Sequence, residues 1–421
     1  MRLLWFTNRL MPAVSQRLKR PPAPSGYWMG SLLGALIGRT DVKLGVVTVS
    51  AGADEFRCEA DGVDYFVVGC SRLAWRLPWR EAVTKRLLRQ CAGIAAAWRP
   101  DLVHVHGTES FYGLLGARGY VDCPVVVSVQ GLLSEYRRRY FGGLSRMEII
   151  RSQGLGELLR GSGILWDRRR LAADARRECE IITSSGHFIG RTLWDRAHVL
   201  SINPSAAYYH VGEVMRGCFY ERRWDIGGIR RHSLMLSNAR APNNGVETLI
   251  AAAGLLRREF PDISVRLAGR PGRGYGHILH RCVGRCGMDG RVEFLGHIDA
   301  DRLSRELCGS HAFALTSYIE NSPNSLAEAM LLGMPCVAGY AGGVPSMVED
   351  GRTGLLFRPG DRSVLAERIR EVFRDDGLAA GLGSRARDEA LVRHSPRHVV
   401  GQLLAAYREV IARERSLRAA A

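Results

Sequence analysis

Lysine is nearly absent from this sequence, with three residues among 421, although lysine and arginine together number 59 against 42 acidic residues. The net charge of +17 is therefore carried almost entirely by arginine. The first 200 residues hold 29 basic and 18 acidic side chains, so this half is the more basic one. Because the arginine clusters are not interleaved with aromatic residues, as they often are in nucleic-acid-binding proteins, we expect no nucleic-acid partner.

Four short clusters account for much of the basic charge in the first half. They are Arg17, Lys19 and Arg20; Lys85, Arg86 and Arg89; Arg137, Arg138 and Arg139; and Arg168, Arg169 and Arg170. Such clusters suit an anionic membrane surface or a pyrophosphate-linked acceptor. A general arginine bias in the composition, with no binding role, is the alternative.

Long apolar runs are also missing. No stretch approaches the roughly 20 apolar residues that a membrane-spanning helix needs. The apolar run at 1–11 is too short for the core of a signal peptide and is interrupted by Thr7, Asn8 and Arg9. We therefore expect a first buried strand there and a cytoplasmic protein, with peripheral attachment to the inner face of the plasma membrane left open.

The ten cysteines have neither the regular spacing of a disulfide framework nor a Cys-x-x-Cys pair. Cys282 and Cys286 lie four residues apart, but His280 is the one further metal ligand close to them in sequence. No strand is followed directly by Gly-x-Gly-x-x-Gly, which argues against a dinucleotide-dependent oxidoreductase. We predict reduced core thiols, no bound metal and no cofactor.

The length favours two domains, because a single hydrophobic core stops growing well below 421 residues. Short apolar runs alternate with longer amphipathic stretches, which is typical of parallel α/β sheets. In the first half the predicted strands are 3–7, 43–49, 102–105, 125–129 and 181–184, and the clearest helix is 81–98.

The same rhythm restarts after residue 200. The predicted strands are 234–237, 264–268, 292–295, 312–316 and 335–339, and the predicted helices are 245–259, 275–287, 325–332 and 363–373. We therefore predict an α/β protein with two doubly wound, Rossmann-like domains, 1–200 and 201–394. A last helix from Pro396 to about Glu414 would pack back on the first domain. Two such domains would face a central cleft, into which the carboxyl ends of their strands would point.

The most informative segment is 316–338, in which a strand is followed by a polar turn, a helix and another strand. Asn321, Ser322 and Asn324 are residues that often cap helices, and Pro323 suits a position near a helix start. The free N–H groups of such a helix form an anion site. Glu320 and Glu328 flank this helix start, where carboxylates can accept hydrogen bonds from a hydroxyl-rich ligand.

This segment resembles the Glu-x7-Glu signature of the family-4 retaining glycosyltransferases of the GT-B fold, the glycosyl transferases group 1. The resemblance extends over about 234–373. It includes Phe294-Leu295-Gly296, Gly333 with Pro335, Gly342-Gly343-Val344-Pro345 and Thr353-Gly354-Leu355-Leu356. It implies an acceptor-binding first domain, a second domain that binds a nucleotide-diphosphate sugar, and the corresponding transfer reaction.

The resemblance also implies roles for individual residues of the second domain. Glu328 would bind the nucleotide ribose, and Glu320 would contact the donor sugar near the reacting centre. Backbone amides of Asn324, Ser325 and Leu326 would hold the distal phosphate. Gly269, Arg270 and His297 are also predicted to bind the donor.

The loop at 236–245 departs from the family pattern, which has arginine and lysine binding the diphosphate. Here Asn244 occupies the lysine position, and the arginine is displaced by one residue to Arg240. The change removes a cation from the place where leaving-group charge develops. Arg240 or Arg270 would compensate for the missing cation. We predict Arg240 as a catalytic residue and Asn244 as a donor-binding residue.

The first domain matches the family less closely. Gly26, in Ser25-Gly26-Tyr27-Trp28, resembles the family's glycine loop near the donor phosphates, although a plain surface turn is the alternative. His106 directly follows the predicted strand 102–105, in a stretch that resembles the family's strand ending in His and Gly at the cleft. It is expected to touch the acceptor, unless it is a structural histidine. Gln130 stands where many members carry a histidine that contacts the donor sugar, and an amide forms hydrogen bonds but does not shuttle protons.

The predicted reaction is a retaining, metal-independent transfer, in which the departing phosphate helps to take the acceptor's proton and no dedicated nucleophile is needed. Asp299-Ala300-Asp301 matches the metal-binding Asp-x-Asp of the other major glycosyltransferase fold, but Asp299 precedes a helix and is expected to cap it. The predicted acceptor is a glycan or a lipid-linked molecule, in surface polysaccharide or glycoconjugate biosynthesis. The alternatives are a catalytically weakened nucleotide- or carbohydrate-binding protein and a sugar-nucleotide epimerase of the same fold.

Overall fold

The computed structural model describes residues 1–20, 27–71, 81–152, 162–272 and 274–420, which group into two compact units. The first unit contains Met1–Ser134, Ala173–Val214 and Ser395–Ala421, and the second contains Glu135–Ala172 and Met215–His394. This division differs from a boundary at residue 200. Tyr140 and Ile164 belong to the hydrophobic core of the second unit, so the segment that carries them is part of that unit.

The first unit is built on an eight-stranded sheet with the order β3-β4-β2-β1-β5-β6-β7-β8. The strands are β1 Arg2–Thr7, β2 Lys43–Ala51, β3 Phe56–Ala60, β4 Val63–Cys70, β5 Leu102–His106, β6 Val125–Ser128, β7 His187–Gly190 and β8 Ala207–His210. All pair in parallel except β3, which forms an antiparallel hairpin with β4. Asp61 and Gly62 both have positive φ at its turn, as tight hairpins favour.

Helices cover both faces of this sheet, where two hydrophobic clusters lie. In chain order the helices up to residue 202 are α1 Pro12–Arg17, α2 Tyr27–Leu36, α3 Glu81–Trp98, α4 Leu114–Ala117, α5 Leu133–Arg139, α6 Arg146–Arg151, α7 Ile164–Ser184 and α8 Leu193–Ile202. The helix predicted at 81–98 is observed as α3. The predicted strand at 181–184 is wrong, because these residues form the end of α7. Ile181 and Ile182 are fully buried, and so short an apolar run does not by itself distinguish a buried helix from a strand.

The second unit is built on a six-stranded, parallel sheet with the order β11-β10-β9-β12-β13-β14. The strands are β9 Arg230–Leu236, β10 Ser264–Ala268, β11 Val292–Gly296, β12 Ser310–Leu315, β13 Cys336–Gly339 and β14 Leu355–Phe357. The helices are α9 Cys218–Glu221, α10 Val246–Leu256, α11 Tyr275–Cys286, α12 Ala300–Cys308, α13 Asn324–Leu332, α14 Arg362–Arg374 and α15 Asp376–Arg393. The predicted fold class, two parallel-strand α/β units, is confirmed.

A last helix, α16 Pro396–Ala420, belongs to the first unit and packs against its sheet. Its Tyr407 is fully buried, and the hydroxyl accepts a hydrogen bond from Trp5 Nε1 at 3.0 Å. The same hydroxyl lies 2.6 Å from His104 Nδ1, and His104 Nε2 lies 2.6 Å from Ser128 Oγ. Burial lowers the pKa of His104 to about 3, so its ring is neutral and each nitrogen has one partner. The last helix is thus joined to β1, β5 and β6 by a single polar chain.

No helix in the described part of the chain combines the length and the apolar character needed to cross a membrane. This agrees with the hydropathy of the sequence.

Replacement of Tyr407 by phenylalanine tests this buried chain. The change leaves Trp5 Nε1 and His104 Nδ1 buried without the hydroxyl, which costs roughly 1–3 kcal/mol for each unsatisfied group. We expect a corresponding fall in the free energy of unfolding, measured by urea denaturation. Tyr120→Phe is the matched control, because the Tyr120 hydroxyl makes no hydrogen bond within the described residues. Equal stability of the two variants would contradict the assignment.

Candidate functional site

The topology of the second sheet defines where a ligand site is expected. The chain starts at β9, continues outward to β10 and β11, and returns to β12 on the other side of β9. Ligands of open α/β sheets bind at the carboxyl ends of the strands where such a reversal occurs. The loops that follow β9 and β12 are the ones that carry Asn244 and Glu320.

These two loops are hydrogen-bonded to each other. Thr316 Oγ1 donates to the carbonyl oxygen of Asn244 at 2.9 Å, and the Tyr318 N–H donates to the carbonyl of Asn243 at 2.8 Å. Gly245 has a φ of 64°, and a side chain there would overlap the carbonyl oxygen of Thr316. The two loops are therefore joined by hydrogen bonds to backbone carbonyls and by the close approach of Gly245 to Thr316.

Asn244 stabilises its own loop. It is 6% exposed, and its Oδ1 accepts a hydrogen bond from the N–H of Ala241 at 3.0 Å. The side chain therefore shapes the turn after β9, and it brings no positive charge to it. A lysine at this position would supply the charge but would not accept that hydrogen bond.

Glu320 lies in the turn between β12 and α13 and is partly buried. Burial raises the pKa of its carboxyl to about 7, while hydrogen bonds from Ser317 and Tyr136 oppose the rise. The Tyr136 hydroxyl lies 3.5 Å from Oε2 of Glu320. Tyr136 belongs to the segment Glu135–Ala172, which the second unit includes.

The glycine pair after β13 fixes the backbone of Glu320. The Gly343 N–H donates to the Glu320 carbonyl at 3.0 Å. Gly342 has a φ of 53°, and a side chain there would overlap the same carbonyl oxygen. This explains why a glycine stands at position 342, where the sequence pattern placed it.

Glu328 lies one turn inside α13 and is 5% exposed. Its Oε1 accepts two hydrogen bonds from Arg216, at 2.9 Å from Nε and 2.6 Å from Nη2. Burial raises the pKa of Glu328, and the positive charge of Arg216 opposes the rise. Arg216 in turn lies 4.8 Å above the ring of Phe219. Arg216 thus fixes the orientation of the carboxylate by binding one of its two oxygen atoms.

The start of α13 differs from the predicted cap. The N-cap residue is Pro323, which has no side-chain donor or acceptor, so the expected side-chain cap is not made there. The Pro323 carbonyl accepts from Leu326 N–H at 3.0 Å and from Ala327 N–H at 3.2 Å. The N–H groups of Asn324 and Ser325 precede the first intrahelical bond, as at any helix start.

The remaining predicted residues of the second unit lie on loops at the same edge of the sheet. Arg240, Arg270 and His297 are exposed, and their side chains make no hydrogen bond or ion pair within the described part of the chain. Gly269 has a φ of 91°, and its N–H donates to the carbonyl of Gly296 at 2.8 Å. Main-chain bonds therefore connect the loops after β10 and β11 as well.

The first unit contains His106 and Gln130, while Gly26 lies outside the described residues. His106 is 3% exposed, and neither of its ring nitrogens has a hydrogen-bond partner among the residues that the structure describes. Burial and the neighbouring His104 lower its pKa well below the ordinary value, so the ring is neutral. Gln130 Oε1 accepts from Arg191 Nη2 at 3.0 Å.

His106 and Gln130 line the same small cavity of the first unit. It measures about 20 Å³, room for roughly one water molecule, and it is also lined by Arg191 and Glu213, which form an ion pair. The structure thus brings these two predicted residues together, and it places the other predicted residues that it describes in the second unit.

Groups of side chains able to hold a metal ion are not found among the described residues. Asp299 caps α12, since its Oδ1 accepts from the N–H of Arg302 at 2.7 Å, as predicted. Cys282 and Cys286 share a face of α11, with their sulfur atoms 3.9 Å apart. Both cysteines are free.

Sequence analysis missed Arg216, Tyr136 and Ser317, the three residues that contact the two carboxylates. Arg216 is 112 residues from Glu328, and Tyr136 is 184 residues from Glu320. No local pattern marks either one. Ser317 stands inside the recognised segment, three residues before Glu320, but the strand-turn pattern gave no reason to choose it.

Solved structures that are similar to this chain include glycosyltransferases of the GT-B fold. Sucrose-phosphate synthase from Thermosynechococcus elongatus superimposes with a TM-score of 0.73 at 17% identity, over 98% of this chain and 99% of that one. HepE from Anabaena, solved in complex with UDP-glucose, gives a TM-score of 0.66 at 18% identity, over 99% and 100%. These similarities establish the fold.

Residues 230–375 match the profile of the glycosyl transferases group 1, and residues 30–179 match that of the glycosyl transferase 4-like domain. The chain belongs to the glycosyl transferases group 1. The predicted family is therefore confirmed.

Related sequences agree with this assignment. Glycogen synthase from Mycobacterium tuberculosis is 25% identical over 77% of this chain and 73% of its own length. N-acetyl-alpha-D-glucosaminyl L-malate synthase from Bacillus anthracis is 31% identical over 30% of this chain and 32% of its own length. The chain thus matches only about a third of the length of the second relative.

Replacement of Gly342 by alanine tests the backbone contact at Glu320. The new Cβ would overlap a carbonyl oxygen, so we expect a loss of about 1–3 kcal/mol in the free energy of unfolding beyond the cost of the positive φ. Gly351→Ala is the control, because Gly351 has a φ of 75° and nothing within 4 Å of an added Cβ. Urea denaturation measures both. If Gly351→Ala is as damaging as Gly342→Ala, the contact with Glu320 is not the cause.

Proposed function

We propose that this protein transfers a sugar from a nucleotide-diphosphate donor to a glycan or lipid-linked acceptor, with retention of configuration and without a metal ion. The observation that carries the proposal is the placement of Glu320 and Glu328 around the start of α13, at the reversal point of the second sheet. The complex of HepE with UDP-glucose supports a nucleotide-sugar donor. Surface polysaccharide or glycoconjugate biosynthesis is the proposed setting.

The nucleotide half of the donor would be bound through Glu328. Arg216 occupies Oε1, so Oε2 is the oxygen that would accept hydrogen bonds from the ribose hydroxyls. A carboxylate that is already oriented loses little freedom when the ligand binds.

The diphosphate would be bound at the start of α13. The N–H groups of Asn324, Ser325 and Leu326 would hold the distal phosphate with the help of the helix dipole. Arg240 and Arg270 are exposed and would supply the positive charge that stabilises the departing diphosphate. The loops of Gly269 and His297 would border the same part of the donor.

Catalysis would consist of positioning and charge stabilisation rather than covalent attack by the protein. Glu320 would accept hydrogen bonds from the donor sugar, and the departing phosphate would help to take the acceptor's proton. His106 is proposed to contact the acceptor and Gln130 the donor sugar, although Arg191 already binds the Gln130 oxygen. Contact with an anionic membrane is proposed on the strength of the basic charge of the chain.

A second candidate is a nucleotide-sugar-binding protein with weakened catalysis. The observation that favours it is the position of Asn244, whose Oδ1 is engaged in its own loop and whose side chain carries no charge. This candidate predicts donor binding without transfer or donor hydrolysis. Measured turnover separates the two functions.

A screen of UDP-, GDP- and ADP-sugars by thermal shift tests donor binding. A ligand present at 100 times its Kd stabilises the folded protein by about 2.7 kcal/mol, so a true donor raises the melting temperature clearly. We expect Glu328→Gln to abolish that rise, because the ribose loses its charged acceptor.

Glu306→Gln is the matched control for this screen. Glu306 also pairs with arginines, Arg230 and Arg266, but Arg230 begins β9 and so lies at the opposite end of that strand from the site. Its variant should keep the donor-dependent rise. An unchanged rise in Glu328→Gln would remove that residue from the donor site.

The raised pKa of Glu320 predicts a pH dependence. If the ionised carboxylate orients the sugar, kcat/KM should increase as the pH rises through about 7. Glu320→Gln should lower kcat by about 100-fold and remove this limb of the profile.

The free energies of unfolding of the wild-type protein and of Glu320→Gln provide an independent measurement of the ionisation of Glu320. Because burial favours the protonated carboxyl, its contribution to wild-type stability is present at low pH and is lost between the ordinary pKa and about 7. The wild-type protein should therefore lose stability relative to Glu320→Gln over that interval. If kcat/KM of Glu320→Gln still rises with pH near 7, that rise is due to the ionisation of another group.

A further inference from the structure

The short helix α6 exposes apolar side chains on its outer face. Met147 is 55% exposed and Ile150 is 65% exposed. Met147 and Ile150 are three residues apart and therefore share one face of the helix. Arg151 directly follows Ile150. Arg146 precedes Met147, so arginines flank the apolar pair on both sides.

The inner face of α6 fixes this orientation. Ile149 packs against the core of the second unit, and Glu148 accepts a hydrogen bond from Arg285 at 2.9 Å. Ser145 caps the helix, with Glu148 bonded back to the Ser145 N–H. Because these contacts hold the opposite face, Met147 and Ile150 point away from the unit that anchors the helix.

The surroundings of the apolar pair are strongly basic. The described residues of Glu135–Ala172 include eight arginines and three acidic residues. Within the described part of the chain no ion pair involves Arg137, Arg139, Arg146 or Arg151. Arg168 lies 5.3 Å above the ring of Phe141, which packs against the same core.

We propose that this surface, defined by Arg137, Arg139, Arg146, Met147, Ile150 and Arg151, docks the protein on an anionic lipid bilayer. Exposed apolar side chains flanked by arginines fit the interface of such a membrane. There the apolar atoms enter the acyl region and the guanidinium groups reach the lipid phosphates. The excess of unpaired positive charge favours this partner over the mixed-charge surface of an ordinary protein.

The proposal deepens the proposed membrane contact and rests on it, since it assigns that contact to a particular surface. Its inner side belongs to the segment whose Tyr136 reaches Glu320. Docking through α6 would therefore bring a lipid-linked acceptor to the unit that carries Glu320. Vesicle binding is measured without donor or acceptor, so failure of docking and failure of sugar transfer are separate results.

The experiment measures binding of the full-length protein to vesicles by sedimentation. We expect binding to vesicles of phosphatidylglycerol and phosphatidylcholine, weak binding to phosphatidylcholine alone, and a decline with added salt. The double variant Met147→Ser/Ile150→Ser should lose affinity by about tenfold or more. Arg146→Gln/Arg151→Gln should reduce the affinity and its salt dependence.

The matched control is Leu255→Ser/Val392→Ser. Leu255 and Val392 belong to the same unit and are 52% and 68% exposed, close to the values for the proposed pair. The control should bind vesicles as the wild type does, and all variants should keep the wild-type melting temperature.

Three outcomes of the vesicle experiment would overturn the proposal. They are absence of binding to anionic vesicles, equal loss of binding in the proposed pair and in the control pair, and vesicle binding that the α6 variants leave unchanged. A wild-type dimer that dissociates in Met147→Ser/Ile150→Ser, seen by sedimentation velocity without lipid, would identify the surface as a contact between copies of this chain instead.

Discussion

The pairing of β9 with β12 is the constraint on which the candidate site depends. The two strands are separated by the excursion through β10 and β11, yet they pair in parallel at the centre of the second sheet. Parallel strands end at the same edge, so the loop of Asn244 and the loop of Glu320 meet there. The bonds between Thr316, Tyr318 and the Asn243–Asn244 backbone follow from that meeting. The helix that carries Glu328 starts from the second loop, so the position of both carboxylates depends on one strand pair.

The side chain of Asn244 stabilises the shape of its loop and contributes no charge to it. Its amide oxygen accepts a backbone hydrogen bond inside the turn, and the residue is almost fully buried. Arg240 and Arg270 are exposed on the loops after β9 and β10, and main-chain hydrogen bonds join these two loops. Backbone hydrogen bonds thus join the loops, while the two arginines extend from them as long, exposed side chains.

The sequence predicted much of the second unit because its signals are local. Strand 264–268 coincides with β10, and helix 325–332 with all but the first residue of α13, since periodicity and glycine positions mark their limits. Arg216 and Tyr136 were not predictable in this way, because their partners lie far away in the chain. The assignment of Glu135–Ala172 to the second unit could not be predicted from the sequence for the same reason. Two of its core residues, Tyr140 and Ile164, are separated by a glycine-containing stretch in which the apolar residues have no clear period.

The path of the chain between the two units has a consequence for synthesis on the ribosome. Glu135–Ala172 emerges early, but the core into which it packs is completed only by residues up to His394. The first unit in turn lacks Tyr407, and with it the partner of Trp5 and His104, until the last helix has emerged. This chain therefore cannot follow the usual order, in which an N-terminal domain folds before the next domain is made. Neither unit can complete its core before these late segments have been made, and until then a nascent chain exposes apolar surface that chaperones would bind.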